Sequence, residues 1–425
     1  MTPESGVAVQ RIARLVREEW GRLSALLLAR HRRLDLVEDA LGDAVEAATR
    51  TWPRDGIPDN PSGWMVTVAG RRITDRLRAE AMAHRKEPML LVESSRRAPE
   101  GVMVDDDAHV EDDLLRLVLM CTHPALAPEV AAALALRLVL HVPTTDVARL
   151  FLVPEPTMAA RITRGKKKIV TAGIPFAIPG VAELPDRLST VAQTAYLAFT
   201  AGYAAGSGPD LVRVGFAGEA IRLVRITRAV AGARPELDAL LALMLLQHSR
   251  RDARVDAGGE LVLLAEQDRS AWHHDEITEG VRLLAAVPPG RTAWAQSIRL
   301  QALIASEHAL APRAADTRWD RIVTLYDTLR DVNPSPAVLL ARVVAVAEAA
   351  GPEAGLAQLE QLEQLDGAFA GHRAAAVRAE LCVRSRRSAE AVLAYDEAIA
   401  SCANDIERRH LQQRRATADA LGQGR

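Results

Sequence analysis

The chain has 425 residues, a formal net charge of -2, 49% hydrophobic residues and only 4% aromatic ones. That length exceeds one ordinary core and leads to two or three domains of about 100 to 200 residues. Abundant Ala, Leu, Val and Arg with few alternating β-branched runs predict an all-α fold. Cys121, Cys382 and Cys402 show neither Cys-x-x-Cys nor Cys/His spacing, which argues against a disulfide framework or a zinc site and fits a reducing cytoplasm.

Charged residues interrupt the N-terminal stretch, and no apolar run reaches about 18 residues, so no membrane segment is expected. No cofactor is expected, and the lack of a Gly-rich phosphate loop, nucleophile elbow or catalytic carboxylate pair argues against an enzyme. Because net charge is small, its uneven distribution is the better guide to partners.

Helical spacing of Ile12, Leu15, Val16, Leu23, Leu26 and Leu27 predicts a helix over Val7 to Arg30, and a second is expected over Leu34 to Arg50. On the second, Glu38, Asp39, Asp43 and Glu46 can share one side, as a solvated or a docking face. The stretch from Trp52 to Pro61, with three prolines and a glycine, reads as a loop. Ser62 is expected to cap a helix from near Gly63, whose stripe of Met65, Ala69, Ile73 and Leu77 faces the core. Its other side carries Arg71, Arg72, Asp75, Arg76 and Arg78, and Pro61 to Lys86 holds six basic against two acidic residues. Such a face can follow phosphates or form internal ion pairs.

These runs, Leu36-Val-Glu-Asp-Ala-Leu-Gly-Asp-Ala-Val-Glu, Trp52-Pro-Arg-Asp-Gly-Ile-Pro-Asp-Asn-Pro and Trp64-Met-Val-Thr-Val-Ala-Gly-Arg-Arg-Ile-Thr-Asp-Arg-Leu-Arg, resemble domain 2 of extracytoplasmic-function (group IV) RNA polymerase sigma factors. The resemblance implies that Glu38, Asp39, Asp43 and Glu46 dock on the clamp coiled coil of bacterial core RNA polymerase. It also implies that Asp59, Asn60, Trp64, Arg71, Arg72, Asp75, Arg76 and Arg78 serve capture of the minus-10 strand. Gly70-Arg71-Arg72 departs from the Ala-Arg-Asn usual in that family, and an interior helical glycine costs about 1 kcal/mol relative to alanine.

Pro88 to Asp113 contains eight acidic and two basic residues and reads as a flexible tether. In the resembling family the equivalent linker is like RNA in charge and threads the RNA-exit path. Leu114 to Leu140 predicts one or two helices broken at His123-Pro124, with Pro128 opening the second. Thr144 is expected to cap a short helix over Thr145 to Phe151, with a turn over Leu152 to Glu155. Pro156 then opens a helix bearing Thr157, Ala160, Arg161, Arg164, Lys166, Lys167 and Lys168, with Met158 and Ile162 inward. This helix-turn-helix pattern would send its N-terminal side chains to base edges and its lysines to phosphates. It resembles sigma domain 4, which reads the minus-35 element and meets the polymerase flap; Pro156 stands where that family often has Ala.

About 250 residues follow. Helix pairs are expected at Trp319 to Arg330 with Ser335 to Ala349, Glu353 to Leu365 with His372 to Arg384, and Ala389 to Ala400 with Ile406 to Ala416. Their spacing, with Glu390-Ala391, Tyr395 and Ala398, is tetratricopeptide-like. The ensemble resembles the sigma-factor subgroup with a C-terminal helical extension, which implies an intramolecular contact between extension and sigma domains. Thr200-Ala201 replaces the Asn-Glu usual there in the segment Ala195 to Tyr203. Tyr196, Phe199 and Tyr203 read as core, and His273-His274-Asp275-Glu276 as a polar helix start rather than a metal site.

The expected organisation is therefore sigma domain 2 over residues 1–87, linker 88–113, sigma domain 4 over 114–173, a helical extension over 174–290 and repeats over 291–425. The function expected is an alternative sigma factor that brings polymerase to promoter DNA. The contrasting expectations are a repeat scaffold or a helix-turn-helix repressor that does not bind polymerase.

Overall fold

The computed structural model describes residues 3–84, 107–151, 153–203, 214–232, 234–256, 260–365 and 372–423. Among them the secondary structure is helical, with no strand and one isolated antiparallel bridge between Val255 and Leu261. They divide into two compact units, the first reaching Thr194 and including Ala229–Ala231, the second comprising Ala195–Arg228 and Gly232 onward. Among the described residues no helix is long and apolar enough to cross a membrane.

In the N-terminal unit, α1 (Pro3–His31), α2 (Leu34–Asp55) and α3 (Pro61–His84) pack on one another. The expected stripes supply contact from two of them, with Ile12, Leu15, Leu23 and Leu27 of α1 and Met65, Ala69 and Ile73 of α3 buried, and Val37, Leu41 and Ala44 of α2 are buried with them. Each large aliphatic side chain so covered contributes about 1.5 to 3 kcal/mol. Next come α4 (Asp107–Cys121), α5 (Pro128–Leu134) continuing into a π-helical turn at Ala135–Val139, α6 (Thr144–Leu150), α7 (Glu155–Thr171) and α8 (Leu184–Tyr203), within which the unit boundary falls.

Helix α1 also packs on α4 and on the π turn, so one helix serves both halves of this unit. The approach to the π turn is close: a Cβ on Gly21 would stand 2.5 Å from the Val139 carbonyl oxygen, a place only glycine can occupy. Beside it the His141 imidazole stacks on Trp20 at 3.4 Å between ring centroids, with the His141 backbone in the left-handed region at φ 55.

Four local expectations are corrected. Helix α2 does not stop before the proline-rich stretch but runs to Asp55 with Pro53 in its last turn, and Gly56 (φ 88) ends it. A proline there forfeits one hydrogen bond, which the buried Trp52 beside it offsets by packing. Ser62 is not the cap of α3. Asn60 Oδ1 accepts from the Gly63 amide at 2.8 Å, leaving the Ser62 hydroxyl to donate to Glu19 Oε2 at 2.8 Å.

The end of the acidic stretch is helical from Asp107, anchored where the buried Asp113 accepts from Arg116 at 2.5 Å; residues 88–106 lie outside the described ones. Thr144 is itself helical, with Pro143 at the capping position and no side-chain cap. Pro156 lies in the first turn of α7 and Met158 and Ile162 are buried, as the pattern requires. The α7 helix comes close to α5: a Cβ on Gly165 would meet Val130 Cγ1 at 2.7 Å.

The C-terminal unit continues through α9 (Val214–Ala231), α10 (Pro235–His248), α11 (His274–Ala285) and α12 (Ala293–Leu310). Buried on every side from Leu240 to Leu246, α10 is the central helix on which α11 and α12 pack. The expected helix pairs follow as α13 (Trp319–Val332), α14 (Pro336–Ala350), α15 (Pro352–Leu365), α16 (His372–Arg384), α17 (Ser388–Ser401) and α18 (Asp405–Gln423), the last running beyond the expected Ala416. Small residues let these helices approach: Ala347, Ala375, Ala379, Ala391, Ala394 and Ala398 form one core around Tyr395. A Cβ on Gly355 would come 2.6 Å from that of Ala347. The buried Asn404 caps α18, its Oδ1 accepting from the amides of Ile406 and Glu407 at 3.0 Å each.

Candidate functional site

Every residue expected to dock polymerase or bind DNA lies in the N-terminal unit, on α2, on α3 and the turn before it, or on α7. On α2 the four acids diverge. Asp39 and Asp43 both receive Arg76 of α3, at 3.0 and 3.4 Å, while Glu46 faces Arg50 at 3.6 Å along its own helix. These are exposed pairs worth at most about 1 kcal/mol each, readily exchanged for another partner.

Glu38 differs. Its carboxylate, only 12% exposed, accepts from Arg137 Nε at one oxygen and from Lys166 Nζ at the other. The π turn presents Arg137, which also donates to the Val142 carbonyl oxygen at 3.4 Å. An acid expected to face polymerase and a lysine expected to face DNA are thus each other's partner. Removing one member of such a half-buried triad strands charge in a low-dielectric setting, a cost well above that of a surface pair.

On α3, Arg71 and Arg72 are exposed with no acidic partner among the described residues, whereas Asp75 and Arg78 face each other at 3.7 Å. Asp59 and Asn60 are exposed at the turn before α3, Asn60 fixed by its capping bond. Trp64 is half-buried, edge-on to the buried Trp52 at 5.5 Å between centroids, so part of its ring is already used in packing.

The recognition-helix expectation has the clearest geometry. Thr157, Ala160, Arg164, Lys167 and Lys168 are exposed and Arg161 is half-exposed. None of the four cations among these has an acidic partner among the described residues; Lys166 alone is engaged, on Glu38. Uncompensated basic side chains running along one helix are a surface of the kind that can neutralise phosphates.

Sequence reasoning missed Arg137 and His141. The signal for Arg137 was a lone cation inside the apolar run from Val130 to Leu140, a setting that demands a buried counter-charge. Burial, and then the Arg137 guanidinium, push the His141 imidazole down to about 4, and its Nδ1 is buried without a hydrogen-bond partner.

In the C-terminal unit Phe199 is buried and the half-buried Tyr196 donates to Gln301 Oε1 at 3.2 Å, while the Tyr203 side chain lies outside the described residues. The polar run at His273 does start α11. His273 meets Asp252 at 2.7 Å, and Glu276 is held by His248 at 3.0 Å and Arg251 at 2.9 Å. Among the described residues His372, Cys402 and Glu407 bring donor atoms within 4.8 Å of one another, an assembly that sequence spacing did not suggest. Protein contacts already serve all three: His372 lies 3.2 Å from Glu407, and Cys402 Sγ donates to the Asn404 carbonyl oxygen at 3.5 Å.

Residues 187–287 match a family described as "Family of unknown function (DUF6596)", a stretch that begins in α8 and ends just past α11. "Uncharacterized protein R00370" of Rhizobium meliloti (strain 1021) is 40% identical over 388 residues, covering 91% of this chain and 90% of the relative. The chain belongs to the same family as that protein. The shared length takes in most of both units. No solved structure matches the chain.

Proposed function

We propose that this protein is an alternative RNA polymerase sigma factor of the extracytoplasmic-function type, acting in the cytoplasm without catalytic chemistry of its own. The observation that carries the reading is the open basic face of α7, where Arg161, Arg164, Lys167 and Lys168 stand exposed or half-exposed without acidic partners beside Thr157 and Ala160. Arg71 and Arg72, further along α3 from the Asp59-Asn60 turn, add a second uncompensated basic patch. Together with the resemblance to sigma domains 2 and 4, this supports capture of the minus-10 strand by α3 and its preceding turn, and reading of the minus-35 duplex by α7.

The engagement of Glu38 by Arg137 and Lys166 gives the arrangement a closed character. Docking on polymerase through α2 then requires that Glu38 exchange intramolecular cations for those of the partner. The same contact favours a second reading, a helix-turn-helix repressor whose α2 acids serve the fold and never meet polymerase.

Run-off transcription by bacterial core polymerase on a promoter library separates the two, with the full chain beside a truncation ending near Gly173. Transcripts from either form support the sigma factor, and their distribution tells whether the extension activates or restrains. Promoter binding without polymerase binding by both forms would replace it with the repressor.

A further inference from the structure

In the C-terminal unit, α14, α16 and α18 and the segment through Leu261 and Leu263 line a cavity of about 440 Å³ that is open to the surface. That volume falls in the range of sites for small organic ligands, roughly 300 to 1,000 Å³. Its walls are largely apolar: Leu261, Leu263, Leu340, Val344, Ala376 and Val377 all line it and all remain only half-buried. These are core-type residues, and Leu340, Ala376 and Val377 pack on the main apolar core of the repeats with their other faces uncovered. An apolar occupant would supply the dispersion contacts that such walls lack.

The charged groups at the cavity are unequal. Glu380 is saturated, accepting from Arg414 at 2.7 and 2.6 Å and from the Tyr395 hydroxyl at 3.0 Å. Glu407 and His372 are paired with each other. That leaves Arg373, exposed and without an acidic partner among the described residues, and His410, whose imidazole likewise has no hydrogen-bond partner among them. The cavity is therefore a largely apolar cleft whose Arg373 has no acidic partner among the described residues and whose His410 imidazole can donate.

We propose that this cavity binds a small amphipathic carboxylate, its hydrocarbon body among Leu340, Val344 and Val377 and its carboxylate against Arg373, with His410 as a second hydrogen-bond donor. The proposal concerns the C-terminal unit alone and does not rest on the sigma-factor reading.

Titration calorimetry on the full chain tests it, with straight-chain carboxylates from hexanoate to dodecanoate, phenylbutyrate, decanol and decylamine as probes. Saturable one-to-one binding of at least one carboxylate is expected, with decanol at least about tenfold weaker and decylamine weaker still. Arg373→Glu, a change at an exposed position, is expected to weaken the carboxylate at least about tenfold and leave decanol unchanged. Ala341→Trp, which fills the cleft, should abolish binding while circular dichroism stays that of the parent.

No saturable binding by any carboxylate would overturn the proposal. So would equal binding of decylamine, or carboxylate affinity indifferent to Arg373→Glu, since each removes the charge recognition on which it stands.

Discussion

Lys166 and Glu38 are ion-paired across 128 positions of sequence, and Arg137 shares the same carboxylate. A helix that carries an open basic face thus spends one of its lysines on holding the acidic helix α2.

If that triad stabilises the N-terminal unit, Glu38→Ala leaves half-buried Arg137 and Lys166 without their carboxylate, at a cost of up to about 3 kcal/mol, the low end for a buried pair because all three groups keep some solvent. Hydrogen exchange on the full chain should then speed up in α2, α7 and the π turn while α13 to α18 stay as they were. Unchanged exchange in α7 would mean that the pair contributes nothing to the closed arrangement.

His141 makes the same region sensitive to acid. Its folded pKa of about 4 lies below the ordinary 6.5, so between these values the unfolded chain binds a proton that the folded chain does not. Stability therefore rises with pH through that window: it is complete above about 6.5 and declines as pH falls toward 4, by up to about 3 kcal/mol. His141→Asn, which tolerates the left-handed backbone but does not titrate, should flatten this slope in urea unfolding monitored at several pH values. A slope identical to that of the parent would assign the acid sensitivity elsewhere.

On the sigma-factor reading, Arg161→Ala should weaken binding to the cognate minus-35 duplex by about 1 to 3 kcal/mol with little effect on scrambled DNA. Equal losses on both sequences would move Arg161 from base reading to phosphate contact. Lys168→Ala, by contrast, should weaken both alike and lower the salt dependence of binding.

Arg386 offers a gain in stability. It lies at φ 58 after α16, and the next amide, that of Arg387, reaches back to the Cys382 carbonyl oxygen at 2.8 Å, the closing bond of a left-handed helix stop. Arg386→Gly removes the side-chain penalty of that conformation and should stabilise the C-terminal unit by about 0.5 to 1 kcal/mol. A lowered thermal midpoint would show that the Arg386 side chain contributes more than its backbone costs.

The repeats were readable from sequence because their punctuation is local. Pro336, the Gly351-Pro352 step and Ser388 fall at helix starts, so α13 to α17 begin and end within two residues of expectation. The cap of α3 was misread because Ser62 and Asn60 both suit a cap, and the choice turned on Glu19, distant in sequence, claiming the serine hydroxyl. The acidic run was assigned wholly to a tether since composition alone says nothing of Arg116, which anchors Asp113. For the candidate site, residue types were legible and their pairing was not: no spacing rule connects Glu38 with Lys166. The cavity was equally hidden, because Leu261 and Val377 become neighbours only through tertiary packing.

The seat of Gly21 against the Val139 carbonyl bears on how this protein can be recombined. Helix α1 belongs as much to the helix-turn-helix half as to α2 and α3, so a cut in the acidic stretch does not separate two self-sufficient cassettes. Chimeras that exchange the segment after residue 106 between family members should fold only when the donor's π turn accepts this α1, and on the sigma-factor reading grafting α7 alone is the safer route to a new DNA specificity.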